Sequence, residues 1–210
     1  MAIRYRIGDR ILVEKISLPL QAPEGLSDEE VWSWYRKRNY VICPLVLITT
    51  VNGEGKVNAA VKTNFMTISS MRRYAFNCPP EHHTHQNIIE TGEFVINVPT
   101  EDIIDKVLKV AILTEKLCPT GLTELEKAGL TPIPSEKVRP PRVKECVAHY
   151  ECLLDWQKED IIVGKVVAVS VDKSLVDGTD RRKMVVIGGG RATDLYGIVS
   201  KPKKWPMVSQ

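Results

Sequence analysis

Pro44 opens a run of apolar and β-branched residues, Leu45-Val46-Leu47-Ile48-Thr49-Thr50-Val51. It stops at Asn52-Gly53-Glu54-Gly55 and resumes as Lys56-Val57-Asn58-Ala59-Ala60-Val61. Two such runs around a glycine-rich turn predict a β-hairpin. The same punctuation recurs downstream: Tyr74–Cys78 halts at Pro79-Pro80, Glu93–Val98 halts at Pro99, and 143–154, 161–172 and 183–188 are divided by charged or glycine-bearing turns. Along 143–154 one face carries Cys146, Ala148, Tyr150, Cys152 and Leu154 and the other Glu145, Val147, His149 and Glu151. That alternation predicts an antiparallel strand with one buried face. Strands outnumber helices and short turns join most neighbours. The expected fold class is mainly β with peripheral helices, a closed or split antiparallel barrel rather than a doubly wound sheet.

The helices are short and carry their own start signals. Leu26-Ser27-Asp28-Glu29-Glu30-Val31 is a capping box ahead of a helical face made by Val31, Trp34 and Tyr35, with Arg36, Lys37 and Arg38 in its last turn. Asn87–Glu90 predicts one or two helical turns after a histidine-rich loop, closed by Gly92. Thr100 is expected to cap a helix whose stripe is Ile103, Ile104, Val107, Leu108 and Ala111. Thr123-Glu124-Leu125-Glu126 is a second capping box, for a helix ended by Gly129. Residues 131–142, with four prolines, predict a surface loop. Residues 1–40 form an N-terminal extension with one short helix, and 41–210 a single domain.

Composition narrows function by exclusion. Lys+Arg 29 against Asp+Glu 26 leaves +3 over 210 residues, and aromatic residues are 6%. That balance does not fit a protein whose main task is to neutralise nucleic-acid phosphates. Met1-Ala2-Ile3-Arg4-Tyr5-Arg6 puts charges where a signal peptide needs an apolar stretch, and no run reaches membrane-spanning length. Five cysteines without a Cys-x-x-Cys pair point to a reduced, cytoplasmic protein.

No standard catalytic signature is present. Gly188-Gly189-Gly190-Arg191 lacks the Lys-Ser/Thr of a phosphate loop and the spacing of a dinucleotide fingerprint, so it is expected to be a tight turn. Cys78, His82, His83 and His85 cluster potential zinc donors, but their spacing matches no standard zinc pattern and no metal site is expected. One of these imidazoles is instead expected at the mouth of a ligand pocket. Segment 58–73 gathers small, hydroxyl and amide side chains with Lys62, Arg72 and Arg73. This suits either a phosphate-binding loop or a polar connection whose hydroxyls satisfy its own turns. Asn87 and Asn97 are open in the same way, as ligand contacts or backbone-satisfying amides.

Read in order, these segments resemble the flavin reductase-like family of FMN-binding split barrels, including its flavoredoxin branch. The resemblance runs from Pro44 to about Val171. Its most specific part is Thr84-His85-Gln86-Asn87-Ile88-Ile89-Glu90-Thr91-Gly92-Glu93-Phe94-Val95-Ile96-Asn97-Val98-Pro99. Ala128-Gly129-Leu130-Thr131, Pro140-Pro141-Arg142-Val143-Lys144-Glu145 and Tyr150-Glu151-Cys152 continue it in order. The resemblance implies a homodimer with FMN at the subunit interface. The loop after the second strand would wrap the ring and ribityl chain, and the segment before the Thr84 helix would hold the phosphate. By position it nominates Asn58, Lys62, Thr63, Asn64, Ser69, Asn77 and Thr84 as cofactor-binding residues, and no catalytic residue. The implied activity passes hydride from NADH or NADPH through FMN to an acceptor, a redox partner protein being one of the acceptors the resemblance allows. A non-enzymatic FMN electron carrier and a binding module with a decayed flavin site are the alternatives. Arg72-Arg73 stands where the family commonly has Pro-Pro, and residues 1–40 have no counterpart.

Overall fold

The computed structural model describes residues 2–7, 10–16, 19, 21–27, 30–31, 42–69, 72–113, 122–187 and 196–199. A hairpin of β1 (Ala2–Ile7) and β2 (Arg10–Ile16) comes first, followed by the short β3 (Cys43–Pro44). The expected hairpin is β4 (Val46–Val51) with β5 (Val57–Lys62). Its turn is held by Asn52, whose Oδ1 accepts from the N–H groups of Glu54 and Lys56 at 3.1 and 2.8 Å.

Next come β6 (Phe65–Ile68), β7 (Arg73–Asn77), helix α1 (His83–Thr91), β8 (Glu93–Val98), α2 (Ile104–Ile112) and α3 (Glu124–Ala128). Two short strands, β9 (Pro132–Ile133) and β10 (Arg142–Val143), precede the long hairpin of β11 (Ala148–Lys158) and β12 (Ile161–Val171). Helix α4 (Lys173–Val176), β13 (Val185–Ile187) and β14 (Tyr196–Ile198) follow. β3, β13 and β14 form a small sheet of their own.

Seven strands make one antiparallel sheet in the order β5-β4-β8-β11-β12-β7-β6. Its edge strands, β5 and β6, are consecutive in the chain, and only Thr63 and Asn64 lie between them. Laid flat, seven strands at a spacing of about 4.8 Å separate the edges by roughly 29 Å. Three residue steps from Lys62 to Phe65 reach about 10 Å. The sheet therefore curls until its edges nearly meet, without pairing to each other. The barrel expectation is met in its split form.

Curling gives β4 two buried faces, which explains its unbroken apolar run. Val46 and Ile48 pack inward with Tyr74, Phe76, Ile88, Phe94 and Ile162. Leu45 and Leu47 pack outward with Ile104, Val107, Val110 and Leu125 of the covering helices. Inside, Phe94 meets Phe76 edge to face at 5.5 Å. Gly164 on β12 lies beneath the Phe94 ring, where a Cβ would stand 2.1 Å from Cζ.

Several sequence expectations are corrected. Segment 58–73 is not one loop, because Asn58–Lys62 completes β5 and Phe65–Ile68 is a strand paired to β7. Helix α1 begins at His83, ahead of the turns expected over Asn87–Glu90, and Thr84 is its second residue. Thr100 heads a 3-10 turn, its hydroxyl bonded to Asp102 rather than to a backbone amide. In the helix that follows, Val110 is buried where Ala111 was expected. The polar face of β11 is buried as well. Glu151, 2% exposed, accepts from the N–H groups of Glu136 and Lys137 at 2.6–3.1 Å. The proline-rich segment thus packs on the sheet through its backbone rather than looping free.

Both capping boxes form, at Ser27/Glu30 and Thr123/Glu126, and Gly92 (φ 71°) and Gly129 close their helices. Trp32, Trp34, Tyr35, Arg36, Lys37 and Arg38, together with Gly188-Gly189-Gly190-Arg191, lie outside the described residues. The four described cysteines are free. No described helix is long and apolar enough to cross a membrane.

Candidate functional site

Two clefts open where β5 runs beneath the start of α1 and the ends of α2 and α3. They share Asn58, His83 and Glu124 and have volumes of ≈ 280 and ≈ 420 Å³. The larger is floored by Asn58–Lys62 and walled by His82–Thr84, Val110 and Leu113. The smaller extends along α1 past Gln86, Asn87 and Glu90.

A polar network ties the floor to the wall. Asn58 Nδ2 donates to the Thr84 hydroxyl at 3.0 Å and to that of Thr50 at 3.3 Å, while Asn87 Nδ2 donates to Thr50 at 3.0 Å. Asn87 therefore braces the helix against the hairpin, as Asn97 braces the sheet. The Asn97 side chain donates to the Leu47 carbonyl and accepts from the Val143 N–H. Both are backbone or framework amides here.

The electrostatics favour an anion at one end of the site. His82 occupies the cap position of α1 with no side-chain cap bond, and the first helical turn carries no acid. The helix start therefore brings the positive end of its dipole to the cleft, with no carboxylate in its first turn to offset it. Lys62 is 8% exposed and lies against the Cys78 thiol and His82. Burial, and secondarily the Lys62 charge, push the His82 imidazole below its usual range, so it is neutral at pH 7. Burial raises the Cys78 thiol, which makes it a poor nucleophile. His85 is buried with Nδ1 against the Cys78 carbonyl at 2.7 Å. No group of three or more potential metal ligands occurs among the described residues.

Of the seven nominated residues, the structure gathers Asn58, Lys62 and Thr84 at the cleft. Thr63 and Asn64 follow Lys62 directly and form the link between the sheet edges. Asn77 sits at that link, its N–H donating to the Asn64 carbonyl at 3.2 Å and its side chain to Asp160. Ser69 is exposed at the β6–β7 turn with φ 55° and does not line the cleft.

Glu124 is a cleft residue that sequence reasoning missed, having served only as part of a capping box. That box needs Thr123 and Glu126 alone, so the additional acid at the first helical position was the available signal.

A domain model described as "Flavin reductase like domain" matches residues 39–188. The chain belongs to that family. This flavin reductase-like chain is 31% identical over 157 residues to a protein of Methanothermobacter thermautotrophicus, covering 70% of this chain and 71% of the relative. Its fold matches a Shewanella frigidimarina protein named as a flavin reductase with a split barrel domain: TM-score 0.71, 21% identity, 88% and 95% of the two chains covered. It also matches the flavoredoxin of Desulfovibrio vulgaris: TM-score 0.68, 19% identity, 89% and 97% covered. The curled seven-stranded sheet of this flavin reductase-like chain is thus a split barrel, and the resemblance seen in its sequence is one of family.

Proposed function

We propose that this flavin reductase-like chain binds FMN and passes hydride equivalents from NADH or NADPH through it to an acceptor, working as a homodimer. The observation that carries the reading is the start of α1, with Thr84 in its first turn and no side-chain cap, standing over Asn58 and Lys62. A helix start beside a buried lysine suits a phosphate, and the joined cleft volumes fall in the range of small-molecule sites, about 300–1,000 Å³. The residues present fit FMN: the positive end of α1 and Lys62 for the phosphate, with the Thr63-Asn64 link beside them. When bound, the flavin supplies the hydride chemistry, and the protein's part is to bind it, orient a donor and exclude water. No strong protein acid or base is required.

Dimerisation is supported by the β11–β12 hairpin, where Leu153, Trp156 and Ile161 share one face and are all more than 40% exposed. A row of apolar side chains on a long hairpin suits burial by a second copy.

The test is the absorption spectrum and mass-spectrometric identification of the chromophore released from the purified protein, followed by anaerobic mixing with NADH and NADPH. The expected result is FMN that bleaches at a turnover-competent rate. Recovery of FAD alone, or of no flavin after reconstitution, refutes the reading. FMN that stays oxidised in the presence of both donors turns it into the electron carrier that the flavoredoxin likeness favours. Light scattering should give twice the monomer mass.

A further inference from the structure

Glu124 is 8% exposed, lines both clefts, and its Oε2 is fully enclosed without a hydrogen-bond partner. It is the one described buried side-chain polar atom in that condition. A buried acceptor left unpaired carries a desolvation cost, and nothing in the helix requires it, since Thr123 and Glu126 complete the cap between them. We propose that Glu124 is the acceptor for hydroxyl groups of a bound polyol or sugar, so that this end of the site recognises the carbohydrate part of a ligand.

The surroundings select that chemistry. Lys62 and the positive end of α1 share the cleft, which disfavours a cationic group as the missing donor. A phosphate placed against the carboxylate is repelled, so an anion belongs at the helix start and not beside Glu124. Neutral O–H and N–H donors remain. Neither cleft is lined by a described Phe, Tyr or Trp on which a planar ring would stack, while aliphatic Val110 and Leu113 and the small Ala59 and Ala60 leave room for a flexible chain. Hydroxyls therefore fit better than the N–H groups of a flavin or nicotinamide ring. The inference rests on the flavin and nicotinamide reading given above, and two ligand parts carry the chemistry: the ribityl chain of the flavin and the ribose of the nicotinamide donor.

Paired ligands that differ only in their sugar make the test. Full-length apoprotein is titrated with lumiflavin and riboflavin, and with the neutral pair 1-methyl-1,4-dihydronicotinamide and reduced (1,4-dihydro) nicotinamide riboside, for the parent, Glu124→Gln and Glu124→Met. The variants should lose at least about tenfold in affinity for the sugar-bearing member of one pair, the loss of a hydrogen bond to a charged group, with its sugarless partner unchanged. Loss confined to riboflavin assigns Glu124 to the ribityl chain, and loss confined to reduced nicotinamide riboside assigns it to the ribose. Glu124→Met apoprotein should melt at the same temperature as the parent or higher, because a costly orphan is gone. Equal loss for sugarless ligands, no loss for any ligand, or a Glu124→Met protein that melts lower than the parent overturns the proposal. If the parent takes up neither flavin nor nicotinamide, the functional reading fails and the proposal falls with it. If the parent binds both and the variants match it, only the role of Glu124 fails.

Discussion

Gly164→Ala should damage the protein far more than its single methyl group implies. The new Cβ would lie 2.1 Å from Phe94 Cζ, 2.7 Å from Cε1 and 3.1 Å from the Cys152 Cβ. Non-bonded carbons settle at about 3.5–4.0 Å, so the ring must retreat by well over an ångström. It has nowhere to go: Phe94 is 0% exposed and sits edge-on to Phe76, itself 2% exposed. Overpacking a core typically costs about 1–3 kcal/mol, and this contact belongs at or above the top of that range. For a chain of this size each kcal/mol moves the melting temperature by about 2–4 °C, which predicts a fall of roughly 6–12 °C. Urea denaturation and thermal melts measure it. A companion Phe94→Leu change shortens the obstructing side chain, and the double variant should recover at least about 1 kcal/mol relative to the sum of the singles. A Gly164→Ala protein within about 1 kcal/mol of the parent, or strictly additive singles, would refute the packing argument.

Thr84 is 2% exposed in the first turn of α1, where an aspartate is compatible with the helix dipole and with the Asn58 donor. Thr84→Asp should therefore stay folded yet lose at least about thirtyfold in FMN affinity through repulsion of the phosphate, while Thr84→Ser stays within about threefold. Equal FMN titrations for Thr84→Asp and the parent place the phosphate elsewhere. The second concerns pH. His149 is held neutral chiefly by burial, with Nε2–H donating to the Val143 carbonyl at 2.8 Å and Nδ1 facing the Ser170 hydroxyl, which also accepts from Arg142. Its folded pKa lies below the ordinary 6.5, so the stability it contributes is present above that pH and lost as pH falls through the folded value. Melting temperature should drop on acidification below about pH 6.5, less steeply in His149→Gln; identical slopes would remove His149 as the cause.

The parts of the fold that were legible in the sequence were those specified locally. Val46–Val51 and Val57–Lys62 announce a hairpin through β-branched runs and a glycine-rich turn, and Glu93–Val98 is bounded by Gly92 and Pro99. The start of helix α1 is not legible because the capping-type side chain, Thr84, lies inside its first turn, while His82 at the true cap position makes no cap bond. β6 hid among hydroxyls because Phe65-Met66-Thr67-Ile68 is only four residues long and its identity comes from pairing with β7. The buried acids were out of reach for a different reason. Glu151 looks solvated until Glu136 and Lys137 bring their N–H groups to it from a distant segment, and the isolation of Glu124 exists only once two clefts have formed around it. In the site itself, Asn58, Lys62 and Thr84 were named from the family pattern, and the structure brings them together. Their contact with a ligand is the part left to experiment.

The two-residue link between β5 and β6 also sets how the molecule comes apart. In an open sheet the outermost strands peel away independently, each at its own small free energy. Here the two outermost strands are neighbours in the chain, so releasing one loosens the anchor of the other. The seam therefore behaves as a single cooperative unit. Amide protons of Val57–Lys62 and Phe65–Ile68 should exchange in step, although five strands separate them across the sheet.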